Sequence, residues 1–225
     1  MLPKLEKILP VSLQQTACFK QALTHRSASG KHNERMEFLG DSILGVIITE
    51  ALYLQMPTAS EGYLSRLRAS LVNEDTLADI ATEISLGDQL HLGSGELKSG
   101  GFRRKSILSD ALEAVIASVF LQQGMEEAKK FVLFLFEQRF QKLPSEDELK
   151  DPKSRLQELL QSRGYSVPQY KLLTTTGHAH RQLFTAECFI NGLNIRTKGV
   201  STSRRKAEQK AALFAFEKIN KDHIK

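Results

Sequence analysis

Three carboxylates near the start of the chain share one side of a predicted helix. They are Glu34, Glu37 and Asp41, in the segment NERMEFLGDS. At about 100° per residue, their directions fall within an arc of roughly 60°. The opposite side, where a helix would face a core, carries Met36, Leu39, Ile43 and Ile47. Carboxylate oxygens suit hard divalent cations, although a solvated acidic face would show the same spacing.

A second acidic pair lies in a segment too apolar to face water. Asp110 and Glu113 are one turn apart in LSDALEAVIASVF, which is apolar on nearly every side of a helix. Two carboxylates on a buried stripe repel each other, and desolvating each costs several kcal/mol unless a counter-charge is present. A divalent cation is the simplest counter-charge, and the first acidic stripe would complete its ligands. The two clusters together predict a metal site.

The net charge of +5 is distributed unevenly along the 225 residues. Residues 1–150 hold 17 Lys and Arg against 20 Asp and Glu, whereas residues 151–225 hold 14 against 6. The C-terminal part is therefore a basic module of net charge +8, which indicates a polyanionic partner. A basic surface that is merely well solvated would have the same composition.

Cysteine content and hydropathy predict a soluble protein of a reducing compartment. Cys18 and Cys188 are the only cysteines, too few for a disulfide framework or a zinc site. The first residues lack the apolar core of a signal peptide, and the clearest apolar run, 131–136, is too short to span a bilayer. We therefore expect a cytoplasmic protein with no membrane partner.

Helical periodicity runs through most of residues 1–143 and predicts an all-α domain. Apolar residues recur every three or four positions in the segments 5–23, 36–54, 63–85, 107–123 and 126–140. Turns are predicted between these segments, including the glycine-rich stretch 93–101. The acidic segment PSEDELKD follows. We place the first domain at 1–146, a linker at 147–151 and a second domain at 152–225.

The second domain shows a different pattern of elements. Asp151 caps a helix that begins with Pro152, and Ser203 caps a final helix. Alternating segments between them predict strands, with Asn191-Gly192 as a hairpin turn. The strands are expected at 169–176, 182–190 and 193–200, and the final helix at 204–219. This small α+β order, α-β-β-β-α, resembles that of a double-stranded RNA-binding domain.

Two motifs extend the resemblance to the whole chain. The run HNERMEFLGDSILG at 32–45 closely resembles the nuclease motif of bacterial ribonuclease III, and SDALEA at 109–114 resembles its second acidic motif. In that family an α-helical endonuclease domain precedes a double-stranded RNA-binding domain. The order of the motifs along this chain is the same.

The resemblance assigns roles to the five acids. It implies that Glu37, Asp110 and Glu113 bind Mg²⁺, for which Mn²⁺ is expected to substitute. Asp41 and Glu113 match the active-site positions, and Glu34 matches an outer-shell acid that we count with the catalytic residues. The chemistry agrees, because phosphodiester hydrolysis needs an activated water and charge neutralisation at the phosphate.

Phe38 is the residue for which the resemblance implies a partner subunit. It lies on the same broad side of its helix as the carboxylates, away from the apolar stripe. The family pattern makes it a knob that enters the other subunit of a homodimer. Burial beneath a neighbouring helix of its own chain is the alternative.

The resemblance also implies three RNA-contacting regions in the second domain. The first is the outer side of its first helix, the second is the loop between the first two strands, and the third is the start of its last helix. Such regions meet two minor grooves of A-form RNA and the phosphates between them. The expected residues are Ser154, Gln157, Glu158, Gln161, His178, His180, Arg181, Arg204, Arg205, Lys206 and Lys210. His178 and Ser201 depart from the family pattern, which has proline and glycine there.

The implied function is cleavage of double-stranded RNA by a homodimer. Products would carry 5′-phosphate and 3′-hydroxyl ends with short 3′ overhangs, and substrates would be ribosomal RNA precursors and some messenger and transfer RNA precursors. A binding protein that does not cut is the first alternative, but five carboxylates facing a polyanion would not help it. A metal-dependent phosphohydrolase of small substrates is the second, but it leaves the basic module unexplained.

Overall fold

The computed structural model describes residues 4–177 and 182–222, and the chain divides into two compact units, Met1–Pro144 and Ser145–Lys225. The described part of the first unit is built from helices, and that of the second combines helices with an antiparallel sheet. The predicted fold class is therefore confirmed. The predicted domain limits, 1–146 and 152–225, stay a prediction.

Helices of the first unit follow the predicted periodicity with two exceptions. Segment 5–23 forms three short helices, because Pro10 and the Thr16 side-chain cap each start a new one. Segment 63–85 is divided at Val72, where the Asn73 side chain accepts the Thr76 N–H at 2.8 Å and caps a new helix. The helices are α1 (Leu5–Ile8), α2 (Val11–Gln14), α3 (Ala17–Ala22), α4 (Glu34–Gln55), α5 (Glu61–Leu71), α6 (Glu74–Glu83), α7 (Ser94–Lys98), α8 (Lys105–Gln123) and α9 (Met125–Phe140).

The glycine-rich stretch 93–101 is not only a turn. It contains α7 and the start of a 3₁₀ helix at Gly101–Arg103, and another 3₁₀ helix lies at Leu86–Gln89. Gly100 has φ 76°, a left-handed conformation that favours glycine, and it separates the two helical turns. The glycines therefore allow the chain to turn next to α7, and they do not prevent this helix from forming.

Helix α8 forms the centre of the first unit. Its apolar residues are buried on most sides, and Gly124, with φ 83°, ends it and starts α9. Helix α4 packs directly against it. Although α8 is strongly apolar, no helix in residues 4–177 and 182–222 has both the length and the apolar composition to cross a membrane.

The second unit packs two helices on one face of its sheet. The strands β1 (Gln169–Thr176), β2 (Leu183–Ile190) and β3 (Ile195–Ser201) pair antiparallel in that order. The helices are α10 (Glu146–Leu149), α11 (Pro152–Ser162) and α12 (Arg204–Asp222). Leu156 and Leu160 of α11 pack with Cys188 and Ile190 of β2 and with the alanines of α12. This small core holds the two predicted RNA-binding helices in place.

Local details of the second unit differ from the sequence prediction at two places. Helix α10 (Glu146–Leu149) overlaps the predicted linker 147–151, and its N-cap Ser145 forms a capping box with Glu148. The turn after β2 is a 3₁₀ helix at Asn191–Leu193, and Asn194 adopts φ 49°, so β3 begins two residues later than expected. The predicted caps are confirmed: Asp151 accepts the Ser154 N–H at 3.3 Å, and Ser203 accepts the Lys206 N–H at 3.3 Å.

Gly40 controls the distance between α4 and α8. A Cβ built at this position would overlap the backbone carbonyl of Glu113. We predict that Gly40→Ala lowers the free energy of unfolding by about 1–3 kcal/mol, because the helices must separate or deform. Thermal or urea unfolding measures this change. Gly95→Ala is the matched control, since nothing lies within 4 Å of its Cβ position. Equal stability of the two variants would contradict the proposed close contact.

Candidate metal centre and RNA interface

Three of the predicted acids converge where α4 meets α8. Glu37 comes from α4, and Asp110 and Glu113 come from successive turns of α8. Each offers one carboxylate oxygen, and the three oxygens lie within 4.8 Å of one another. All three residues are half-buried. The structure thus brings together the residues predicted as metal ligands, and we call these three the acidic centre.

The other two predicted acids lie at the edge of the acidic centre and are exposed. Asp41 follows Glu37 by one turn of α4, close enough that its charge influences Glu113. Glu34 accepts a hydrogen bond from Arg26 Nη1 at 3.0 Å, and the His32 ring nitrogen lies 3.7 Å from its other oxygen. Asp41 and Glu34 are therefore neighbours of the centre rather than members of the close group.

Burial and mutual repulsion act together on the acidic centre. Burial, and then the charges of Asp41, Asp110 and Glu37, raise the pKa of Glu113 to about 8. Burial is also the largest cause of the raised pKa values of Glu37 and Asp110, and a hydrogen bond from the Ser109 hydroxyl at 3.3 Å partly opposes it at Asp110. Within the described residues, no Lys or Arg nitrogen pairs with these three carboxylates at 4 Å or less.

The donor set of the acidic centre fits a hard divalent cation. Carboxylate oxygens are the ligands that Mg²⁺ and Mn²⁺ prefer, and Mg²⁺ retains waters when few protein ligands are present. A cation would also compensate the repulsion between the half-buried carboxylates. The acidic centre could therefore bind a metal ion, and the chain supplies a chemical reason for it to do so.

A cleft of about 540 Å³ opens beside the acidic centre. Two of the centre's carboxylates, Glu37 and Asp110, form part of its wall. The rest of the wall carries basic, polar and acidic side chains and one apolar one: His25, Arg26, Ser27, Asn33, Glu34, Glu96, Arg104, Ser106 and Ile107. The cleft thus combines carboxylates with cations, an arrangement suited to a ligand that carries both a metal and phosphate groups.

The predicted face of α11 is accessible. Gln157, Glu158 and Gln161 are exposed, and Ser154 is half-buried with its hydroxyl donating to Asp151 at 2.7 Å. Glu158 accepts a hydrogen bond from Lys150 Nζ at 2.7 Å. These side chains present amide, hydroxyl and carboxylate groups, which are able to hydrogen-bond 2′-hydroxyls in a minor groove.

The basic start of α12 is also exposed. Arg204, Arg205, Lys206 and Lys210 all face solvent. Arg204 Nε donates to Glu208 at 2.9 Å, whereas no carboxylate among the described residues pairs with the other three cations at 4 Å or less. Free cations at a helix N-terminus, whose N–H groups also favour anions, form a suitable phosphate site. His178, His180 and Arg181 lie outside the described residues.

Sequence reasoning missed the contacts that join the two RNA-binding helices. Glu208 accepts hydrogen bonds from Lys153 Nζ at 2.7 Å and from Arg204, so it links the first turns of α11 and α12. Gln209 adds a bond to Asp151 at 2.7 Å. The four-residue spacing of Arg204 and Glu208 is a sequence signal for an ion pair within one helix. The contacts of Glu208 and Gln209 with Lys153 and Asp151 have no such signal, because these residues lie more than fifty positions apart. These bonds fix the distance between the two predicted RNA-contacting regions.

The structure explains one of the two departures from the family pattern. A Cβ at Gly199 would overlap the Ala207 carbonyl and the Ala211 N–H of α12, so this position requires glycine. Ser201 ends β3 with no left-handed φ, so a side chain fits there. The departure at Ser201 is therefore compatible with the fold, and that at His178 lies outside the described residues.

The helical unit with its acidic centre and the basic α-β-β-β-α unit define a protein that joins a helical nuclease domain to a double-stranded RNA-binding domain. The family described as ribonuclease-III-like matches residues 15–139, and the double-stranded RNA binding motif matches residues 152–219. The chain belongs to the ribonuclease III family.

Known relatives extend over nearly the whole chain. A protein named Ribonuclease 3 from Idiomarina loihiensis is 50% identical over 218 residues, covering 97% of this chain and 95% of its own. One of the same name from Shewanella halifaxensis is 51% identical over 220 residues, with 98% and 97% coverage. A solved structure of the ribonuclease III nuclease domain from Campylobacter jejuni is 42% identical, with a TM-score of 0.55, and the match covers 58% of this chain and 94% of that one. The predicted family is confirmed.

The raised pKa of Glu113 predicts how the stability of the metal-free protein depends on pH. The folded-state pKa is about 8 against an ordinary value of 4.5, so the folded state holds a proton that the unfolded chain loses between these values. Stability should therefore fall as pH rises from about 5 to 8. Glu113→Gln removes this loss and should raise the melting temperature at pH 8 in chelator, but not at pH 5.

Glu137→Gln is the control for this comparison, because Glu137 is an exposed glutamate of α9. Solvent screening reduces the size of the effect at a half-buried carboxylate, but the raised pKa of Glu113 fixes its sign. Melting temperatures of the three proteins in chelator at pH 5 and pH 8 measure it. If Glu113→Gln has the same melting temperature as the parent at both pH values, the ionised Glu113 side chain does not destabilise the folded protein, and the prediction is wrong.

Proposed function

We propose that this protein is an endoribonuclease that hydrolyses phosphodiester bonds in double-stranded RNA. The convergence of Glu37, Asp110 and Glu113 supports the proposal most strongly, because it is joined in one chain to a basic RNA-binding module. In the proposed reaction, water adds to phosphorus, the bond to the 3′ oxygen breaks, and that oxygen takes a proton. The products carry 5′-phosphate and 3′-hydroxyl ends with short 3′ overhangs.

The proposed cofactor is Mg²⁺, with Mn²⁺ as a substitute, held by Glu37, Asp110 and Glu113. When bound, the ion would supply an activated water and charge neutralisation at the scissile phosphate. Asp41, exposed at the edge of the centre, is proposed to orient the attacking water by accepting its hydrogen bond. Glu34 is proposed to act from the outer edge, where it now pairs with Arg26.

The second domain is proposed to bind the duplex that the first domain cuts. The exposed side of α11 would meet one minor groove, the residues His178, His180 and Arg181 would meet the next, and the start of α12 would bind the phosphates between them. Glu208 and Gln209 support this arrangement because they hold α11 and α12 at a fixed separation. A-form geometry then favours RNA over DNA.

A homodimer is proposed to place two acidic centres on one duplex, each cutting one strand. Phe38 is 78% exposed, which supports a contact with a partner subunit over burial beneath a helix of its own chain. Val46 and Tyr53 continue an exposed apolar stripe along the same side of α4. The Campylobacter jejuni structure is described as having a flexible region involved in dimer formation of its nuclease domain, which supports the same assembly here.

The biological substrates and location are proposed from the family. Ribosomal RNA precursors and some messenger and transfer RNA precursors contain the duplex stems that such an enzyme requires. We propose that the protein acts on them in the cytoplasm, without a membrane partner.

Cleavage and binding by Glu113→Gln test the proposed function. The substitution keeps the size of the side chain but removes one charged ligand, so cleavage of duplex RNA in Mg²⁺ should fall by about 100-fold or more. Duplex binding in Ca²⁺ should survive, because the second domain supplies much of it. Glu137→Gln should cut like the parent. Near-normal cutting by Glu113→Gln would refute the metal site, and a parent that binds duplex without cutting would indicate a binding protein instead.

Substitution of Phe38 tests the homodimer. Phe38→Asp would place a charge in an apolar socket of the partner and should shift the protein towards monomer in sedimentation velocity. Leu121→Asp is the control, because Leu121 is another exposed apolar residue but belongs to α8 rather than to the stripe of α4. A Phe38→Asp variant that sediments as the parent dimer would contradict a role for this face.

A further inference from the structure

Arg26 is a basic residue of the cleft for which neither the motifs nor the family match gives a role. It lines the cleft together with Glu37 and Asp110, and its side chain is 70% exposed. It lies in the turn between α3 and α4, outside both acidic motifs. Arg26 therefore lies at the rim of the acidic centre, with its side chain accessible to a ligand in the cleft.

The backbone that carries Arg26 is held on both sides. His25 N–H donates to the His91 carbonyl at 3.0 Å, and Gly93 N–H donates to the Ser27 hydroxyl at 2.9 Å. That hydroxyl also lies 2.8 Å from the His25 ring Nδ1. Gly93 packs so closely on the Ser27 carbonyl that a Cβ would overlap it. Arg26 therefore projects an exposed side chain from a fixed point of the backbone.

The charge of Arg26 reaches the acidic centre. Burial raises the pKa values of Glu37 and Asp110, and the positive charge of Arg26 is among the influences that oppose this rise at both residues. Its direct partner is Glu34, at 3.0 Å, in a pair that is exposed on both sides. Exposed pairs of this kind contribute about 0–1 kcal/mol, so a better anion can replace Glu34 at little cost.

The other arginine of the cleft is held more firmly. Arg104 pairs with both carboxylate oxygens of Glu96, at 3.2 and 3.1 Å, and Nη2 donates to the Ser99 hydroxyl at 3.4 Å. Within the described residues, Arg26 pairs with a single carboxylate oxygen, Oε1 of Glu34. Of the two guanidinium groups on this wall, that of Arg26 has more donors available to a ligand.

We propose that Arg26 is a substrate-positioning residue that binds a backbone phosphate of the RNA strand beside the acidic centre. The guanidinium exchanges Glu34 for the non-bridging oxygens of the phosphate, which match its planar donors and carry a full charge. The phosphate is thereby held next to the three carboxylates, and the positive charge of Arg26 offsets their repulsion of the RNA strand. This inference rests on the proposed function.

Kinetics of Arg26 variants test the assignment. Arg26→Ala should lower kcat/KM for duplex cleavage by about 10- to 100-fold, the effect of losing one charge-assisted contact. Arg26→Lys, which keeps the charge without the planar donors, should recover part of the loss. The Mg²⁺ concentration that gives half-maximal cleavage should not rise in either variant. Arg139→Ala is the control, because Arg139 pairs with Glu83 at 2.9 Å and does not line the cleft.

A double-mutant cycle separates phosphate binding from a role exerted through Glu34. If Arg26 binds phosphate, Arg26→Ala still slows cleavage in a Glu34→Gln background. If it only neutralises Glu34, the effect vanishes in that background, and the proposal is overturned. A set of RNA substrates, each with one uncharged methylphosphonate at a different position, then locates the contact. Where the methylphosphonate replaces the phosphate bound by Arg26, cleavage by the parent should be slower. Cleavage by Arg26→Ala should not become any slower at that position.

The outcomes distinguish this inference from the proposed function. Loss of cleavage by Glu113→Gln together with normal cleavage by Arg26→Ala refutes the role of Arg26 alone. Normal cleavage by Glu113→Gln refutes the metal centre, whatever Arg26→Ala shows. An unchanged melting temperature of Arg26→Ala, expected for an exposed side chain, shows that slower cleavage does not come from unfolding.

Discussion

The contact of α4 with α8 at Gly40 is the constraint on which the first domain depends. The absence of a side chain there lets one helix rest on the backbone of the other at Glu113. The same closeness forces carboxylates of both helices to within 4.8 Å of one another. Apolar burial along α8 supplies the free energy that holds like charges together, and a cation would relieve their repulsion. The crossing of α4 and α8 thus determines both how closely the two helices pack and how closely their carboxylates approach.

In the second domain, one carboxylate pairs with cations of two different helices. The cations of this domain must remain available to a polyanion, yet the helices that carry them must keep a fixed separation. A nearly buried carboxylate, Glu208, pairs with Lys153 and Arg204, whereas Arg205, Lys206 and Lys210 are exposed and have no carboxylate partner at 4 Å or less among the described residues. Some cations of the basic module are therefore structural, and net charge alone overestimates how many are available to RNA.

Much of the fold and the acidic centre follows from local sequence signals. Helical periodicity and the one-turn spacing of Asp110 and Glu113 are properties of single helices, so α4, α8 and their acids were predictable. The break at Val72 was not, because the cap at Asn73 interrupts an otherwise continuous apolar pattern. The ion pair of Arg26 and Glu34, and the network around Glu208, join residues from different elements. Periodicity carries no information about such partners, and only the tertiary structure identifies them.

The division of the chain at Ser145 has a consequence for the order in which the protein matures. Every residue of the acidic centre, and the glycine that lets it form, belongs to the unit that ends at Pro144. Domains fold as units, and the N-terminal one folds first during synthesis. The first domain can therefore complete its core on the ribosome before the double-stranded RNA-binding domain has emerged. A nascent chain would possess its acidic centre before its double-stranded RNA-binding domain.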